Sequence, residues 1–349
     1  MKRAAYWFLL CLYPALLACS PADGGLQLGE ERLSPKEAEI TAAMIAAIEA
    51  ASLQRYPTGT VQRFNQSKTL GCFDASFTVA EHLDPGLQQG IFIPGARYPV
   101  QLRFANATEE DDREKDFRGL SIKLHNITGA PLWGEAGIQD FLLNSYPALF
   151  AANPGDFLDF INATRDGKLW RYFINPAHFY SLTVVLRGRE KIDNPFAIQY
   201  WSTTPYRFGA DATSAVKYSV RPCESSAPAV AVARHKDFLA EAMQDQLRRG
   251  GACFDFIVQF QTDPDTMPIE NAAVIWDEAE SPFIKVAKIR IENDSTSAAT
   301  AGNCEAMRFN PWQSIAAHQP LGGINRTRKP IYAEIGEFRE QQNRLRNQR

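Results

Sequence analysis

Four stretches of this chain repeat their apolar residues every second position, and that period limits the folds open to it. Phe73–Ala75–Phe77–Val79, Val100–Leu102–Phe104 and Leu120–Ile122–Leu124 each set alternate apolar residues on one face. Cys253–Gln261 does the same through Phe254, Phe256, Val258 and Phe260, and Phe283–Ile291 is rich in strand formers. A period of two belongs to strands with one buried face. Turn-forming joints such as Asp84–Pro85–Gly86 and Pro94–Gly95 divide the runs. Amphipathic strands at regular intervals predict a closed antiparallel barrel. A helical period replaces this pattern from Ser34, where Ser34 can cap, Pro35 and Glu37 suit a first turn, and Ile40, Met44 and Ile48 recur at helical spacing. That helix should end near Arg55, before Pro57. Asp156–Thr164, His235–Arg248 and the C-terminus from about Lys329 also carry helical patterns, and no internal repeat is evident. The expected fold class is α+β: one antiparallel β-barrel with surrounding helices.

The 349 residues, 45% hydrophobic and 22% charged with a formal net charge of −3, suffice for a large core and give no argument for a nucleic-acid partner. Residues 1–19 read as a leader outside the fold. Lys2 and Arg3 supply a positive start, and Tyr6–Leu17 is an apolar run too short to span a bilayer comfortably. The run ends Leu16–Leu17–Ala18–Cys19, which resembles a bacterial lipobox with Cys19 as the lipidated residue; an ordinary secretory signal cleaved near Ala18 is the alternative. Ser20 after the cysteine resembles the outer-membrane sorting pattern, so the expected location is the periplasmic face of that membrane. Residues 20–33 are a linker and residues 34–349 a single domain. In an oxidising compartment Cys72, Cys223, Cys253 and Cys304 allow two disulfides in three connectivities. His82, His125, His178, His235 and His318 stand too far apart in sequence to suggest a zinc site.

Arg63, Arg103 and Arg118 occupy or adjoin the apolar strands. Each alone reads most simply as a rim residue or half of an ion pair; several converging on one place would suit a dianionic ligand. Near the C-terminus Arg328 precedes Tyr332 by four residues and Arg339 follows it by seven, which on a helix sets all three on one face. An arginine one turn from a phenol favours the phenolate, and tyrosinate is among the few protein groups that hold a haem iron.

The surrounding motifs carry a resemblance. Cys304–Glu305, Phe309–Asn310–Pro311–Trp312 and His318–Gln319–Pro320–Leu321–Gly322–Gly323–Ile324–Asn325–Arg326 resemble the C-terminal motif of catalase-related haem proteins. Asp116–Phe117–Arg118–Gly119–Leu120–Ser121–Ile122–Lys123 resembles their Arg-Gly-Phe-Ala-x-Lys strand, and Asn144–Ser145–Tyr146–Pro147 their Asn-Asn-Thr-Pro. Met267–Pro268–Ile269–Glu270 through Ser281–Pro282–Phe283 resembles the smaller branch of that family, which includes allene-oxide-synthase-like proteins. The likeness runs from about Thr58 to Arg339. It implies a haem, expected to be haem b, with Tyr332 as iron ligand, Arg328 as its partner, and Arg339, Arg63 and Arg103 on the propionates. It also implies Phe157 on the haem face and Asn144 as the distal amide.

Two positions depart from the family pattern together. Its Arg-x-x-His-x-Lys is here Arg63–Phe64–Asn65–Gln66–Ser67–Lys68, so Gln66 replaces the distal histidine; its Arg-Phe-Ser is Arg103–Phe104–Ala105, without the orienting hydroxyl. An amide has no proton to exchange near neutral pH. The resemblance therefore implies an enzyme acting on peroxides, organic or lipid hydroperoxides above hydrogen peroxide, with Gln66 and Asn144 as its catalytic pair. A non-enzymatic haem-binding or haem-sensing envelope protein is the alternative, and a scaffold without haem the third reading. A small peroxide, the membrane and a second copy of the chain are the partners considered.

Overall fold

The computed structural model describes residues 25–224, 226, 232–293 and 306–348. The leader with Cys19, and Cys304, lie outside them.

Eight strands close a ring in which every neighbouring pair is antiparallel. In chain order they are β1 (Lys68–Val79), β2 (Arg97–Asn106), β3 (Arg118–His125), β4 (Ile138–Asn144), β5 (Tyr200–Trp201), then β7 (Ala215–Pro222), β8 (Ala252–Phe260) and β9 (Ile284–Ile291). A two-residue strand, β6 (Tyr206–Arg207), pairs with β7 and bridges to Pro320 through Tyr206. Closure comes where β5 meets both β4 and β7 and where β9 returns to β1. The four alternating runs and the β-rich run Phe283–Ile291 are all strands, and their apolar positions fill the ring. Phe73, Phe77, Leu102, Phe104, Ile122, Phe254 and Phe256 are all within 1% of complete burial. Rings meet edge to face, as in Phe77–Phe256 at 5.2 Å and Phe141–Phe256 at 5.1 Å. The barrel interior is thus a solid aromatic core, and any ligand must sit against its outside.

The helices are α1 (Glu37–Arg55), α2 (Pro154–Arg165), α3 (Leu169–Ile174), α4 (Phe179–Gly188), α5 (Phe238–Gly250) and α6 (Gly323–Asn347). Helix α1 buries Met44, Ile45 and Ile48 against Ile161 of α2 and Ile331 of α6. Helix starts differ from expectation: α2 begins at Pro154 rather than Asp156, α5 at Phe238 rather than His235, and two more differ for a visible reason. Ser34 does not cap α1 with its side chain: a turn intervenes, in which the Ser34 carbonyl accepts from the Glu37 N–H at 3.1 Å. Helix α6 begins at Gly323, six residues before Lys329. Its first free N–H groups, of Gly322 and Gly323, donate to the carboxylates of Glu31 and Glu270, each at 2.7 Å. Arg326 then pairs with Glu31, Glu37 and Glu270. These caps come from residues far away in sequence, so no local signal announces them. Cys223 at the end of β7 is bonded to Cys253 of β8, with Cα atoms 5.6 Å apart, and Cys72 is also disulfide-bonded.

Candidate functional site

Strand parity builds one wall of a cleft. In β2, β3 and β4 the interior positions are Leu102 and Phe104, Leu120 and Ile122, and Phe141 and Leu143. The intervening residues face outward in two cross-strand rows. Register sets Arg103 opposite Ser121 and Ser121 opposite Leu142, then Ala105 opposite Gly119 and Gly119 opposite Asn144. Helix α6 forms the facing wall through Arg328, Ile331, Tyr332, Ile335 and Arg339, which recur at three-, four- and seven-residue steps. Met44 and Ile48 of α1, Phe157 of α2, the segments Arg63–Gln66 and Ser202–Thr204, Leu149 and the segment Met307–Phe309 add to the lining.

All eight residues singled out from the sequence line this single cleft: Arg63, Gln66, Arg103, Asn144, Phe157, Arg328, Tyr332 and Arg339. Arg118 does not. It is buried outside the cleft, 3.6 Å from Asp116 and donating to the Glu114 carbonyl, which is the ion-pair reading of a strand arginine. The two motif lysines are also structural. Lys68 pairs with Asp112 at 2.7 Å, and Lys123 with Asp140 at 2.7 Å. Asp140 in turn accepts from the Asn310 N–H at 3.0 Å and so seats the segment that crosses the cleft. Burial, opposed by Lys123, lifts the Asp140 carboxyl to about 6.

Tyr332 is tied to Arg328, whose Nη2 donates to the phenol oxygen at 3.2 Å while Nη1 donates to Asn325 Oδ1 at 3.1 Å. Thr204 Oγ1 donates to the same Asn325 oxygen at 3.1 Å, and Asn325 Nδ2 bonds the carbonyls of Pro205 and Leu321. The guanidinium is therefore oriented from behind by a buried amide.

Opposite, Gln66 takes a left-handed backbone conformation, φ +58°, uncommon for a residue with a side chain. Three bonds hold it there: its N–H meets the Ala107 carbonyl and Asn65 Oδ1, each at 2.9 Å, and its carbonyl accepts from Arg103 Nη2 at 2.8 Å. Arg103 is also bonded to Thr69 Oγ1, so it acts as the fastener of the Gln66 turn. The Gln66 carboxamide lies on Gly119, where a Cβ would come within 2.2 Å of it. Asn144 spends its Oδ1 on the Ser145 N–H at 2.9 Å, which turns its amide nitrogen away from that contact. Arg63 Nη2 donates to the Met307 carbonyl at 3.0 Å, and Arg308 pairs with Glu340 of α6 at 2.7 Å.

Among the described residues that line the cleft, five are arginines and none is a carboxylate, lysine or histidine. That donor set fits a flat apolar dianion with a metal that accepts a phenol oxygen. Sequence reasoning missed Asn325, Thr204, Arg308 and the pair Met44 and Ile48. The spacing of Ile40, Met44 and Ile48 marked an apolar stripe without saying what it faces; Thr204 and Arg308 gave no signal.

No family model matches the chain. It is 24% identical to the allene oxide synthase-lipoxygenase protein of Plexaura homomalla, over 71% of this chain and 24% of that protein. In structure it is similar to catalase A of Saccharomyces cerevisiae, with a TM-score of 0.66, 16% identity and coverage of 82% of this chain and 62% of the catalase. A bacterial catalase gives 0.64 at 16% identity, over 82% and 59%. The chain thus spans about a quarter of the curated relative's length and about three fifths of the catalases'. The fold is catalase-like.

Proposed function

We propose that this chain is a catalase-related haem protein that acts on peroxides, with organic or lipid hydroperoxides as its substrates. The observation that carries the reading is the cleft itself: Tyr332 bonded to Arg328 on one wall, Gln66 and Asn144 on the other, and arginines without a carboxylate among the described lining residues. Tyr332 would hold the iron of a haem b, Arg63 and Arg339 its carboxylates, and Phe157 one face of its ring. When bound, a haem would supply the redox centre at which a peroxide O–O bond is cleaved. The chain's own part is to place the peroxide. The Asn144 amide nitrogen and the Gln66 carboxamide would orient it by hydrogen bonds, and neither can take and return its proton. Missing acid–base help is worth about 10² to 10⁴ in rate, so fast dismutation of hydrogen peroxide is not expected. An alkyl hydroperoxide adds apolar contact with residues such as Phe64, Leu142 and Leu149, which hydrogen peroxide cannot make. The lipobox-like leader supports an envelope lipoprotein, beside a source of lipid peroxides.

The test supplies haem during purification and compares consumption of a fatty-acid hydroperoxide with dismutation of hydrogen peroxide. Rapid loss of the first and slow loss of the second is expected; the reverse order overturns the substrate assignment. Two amides facing a haem would also suit a bound diatomic ligand, and haem binding without turnover of either peroxide would favour that second, non-enzymatic reading.

A further inference from the structure

Helices α3 and α4 carry their apolar residues on the wrong side for a simple soluble domain. Inward, α4 buries Ser181, Val184 and Gly188, a small and partly polar stripe. Outward, it presents Phe179, 56% exposed, and Leu186, 68% exposed, with the half-buried Leu182 between them. Helix α3 repeats the inversion. It buries Tyr172, bonded to Ser181 and stacked on His178 at 4.0 Å, and leaves Trp170 58% and Ile174 62% exposed. The two helices are consecutive and pack on one another through the turn at Pro176–His178. Four of the large apolar side chains left exposed on this protein thus fall within 17 residues of chain, 170–186.

The polar residues around them are basic. From Arg165 to Lys191 the chain has six arginines and lysines against two acids, Asp166 and Glu190. Asp166 is already paired with Arg165 at 3.0 Å, and Arg189 with Glu109. Lys168, Arg171 and Arg187 are exposed and form no ion pair with any described residue; Arg171 lies 5.3 Å over the Trp170 ring. A tryptophan, a phenylalanine and aliphatics collared by free cations fit the boundary of an anionic bilayer, where rings and alkyl groups enter the headgroup layer and cations meet phosphate. No helix among the described residues is long and apolar enough to cross a membrane, so this contact lies on the surface. We propose that the α3–α4 face docks on an anionic phospholipid surface, independently of any N-terminal anchor.

The experiment uses the full chain with vesicles of phosphatidylcholine, alone or mixed with phosphatidylglycerol, carrying bromine on the acyl chains. Tryptophan quenching is compared between the wild type and Trp170→Phe. The N-terminal segment contributes equally to both, so the difference reports Trp170 alone. Quenching that falls in Trp170→Phe, and is stronger with phosphatidylglycerol, is the expected result. In Lys168→Glu/Arg171→Glu/Arg187→Glu the lipid needed for the Trp170 signal should rise about fivefold or more per charge reversed, with the thermal midpoint unchanged. Equal quenching of wild type and Trp170→Phe overturns the proposal. So does a fall in oligomeric size on Phe179→Ser/Leu186→Ser without lipid, which would make the face a contact between copies.

Discussion

Arg328 Nη2 lies 3.2 Å from Tyr332 Oη one turn along α6, and its guanidinium carbon stands 5.2 Å from the centre of the tyrosine ring. The same arginine is gripped by Asn325, so the cation sits where negative charge on the phenol oxygen would be stabilised. Replacing it removes that stabilisation and leaves Asn325 Oδ1 with only Thr204. Arg328→Gln is expected to fold and to weaken haem retention about 10- to 100-fold, measured by transfer of haem to apomyoglobin.

Restoring the two missing distal groups should restore the missing chemistry. Ala105 and Gly119 are cross-strand partners, and the Gln66 side chain rests on Gly119. A histidine at 66 and a hydroxyl at 105 would then belong to one small region. Gln66→His/Ala105→Ser should raise hydrogen peroxide dismutation by about 10² to 10⁴, followed as oxygen release. No gain would mean that the distal account is wrong.

Gly119 itself is a lever on Gln66. An added Cβ at 119 would overlap the carboxamide, so either Gln66 swings away or the strand shifts. The atoms it would meet first are the free end of the flexible Gln66 side chain, so Gly119→Ala is expected to cost less than about 1 kcal/mol in urea unfolding. It should also slow hydroperoxide consumption, since the oriented amide is displaced.

His318 makes stability depend on acid. The Ile91 N–H donates to its Nε2 at 3.1 Å, so Nδ1 bears the proton and meets the Tyr218 oxygen at 2.9 Å. Burial lowers this imidazole from 6.5 to about 3. Below pH 6.5 the unfolded chain takes up a proton that the folded chain refuses. The contribution is therefore complete above 6.5 and lost as pH falls towards 3, at about 1.4 kcal/mol for each pH unit. His318→Gln should be less stable at neutral pH, with a flatter fall in urea midpoint on acidification. An unchanged slope would mean that His318 is not the titrating group.

Much of the barrel was legible because alternation reports a face that must be buried, as in Leu120–Ile122–Leu124. Strand β7 carries the same signal, Val216, Tyr218 and Val220 alternating with Lys217 and Ser219, and was missed; in β4 the outward Leu142 between Phe141 and Leu143 blurs the period. The site was legible only through motifs. Periodicity pointed to the core residues Phe104 and Leu120, whereas the cleft uses residues of the opposite parity, Arg103, Ser121 and Asn144. Nothing local could tell Arg103 from Arg118. One fastens the Gln66 turn and the other is buried beside Asp116, a difference that only strand register creates.

The most direct measurement is the absorption spectrum of the full chain purified with haem supplied, taken beside Tyr332→Phe. The account predicts a high-spin ferric Soret band of tyrosinate type in the wild type, lost or shifted in the variant. No Soret band in the wild type, or one that Tyr332→Phe leaves unchanged, would contradict it.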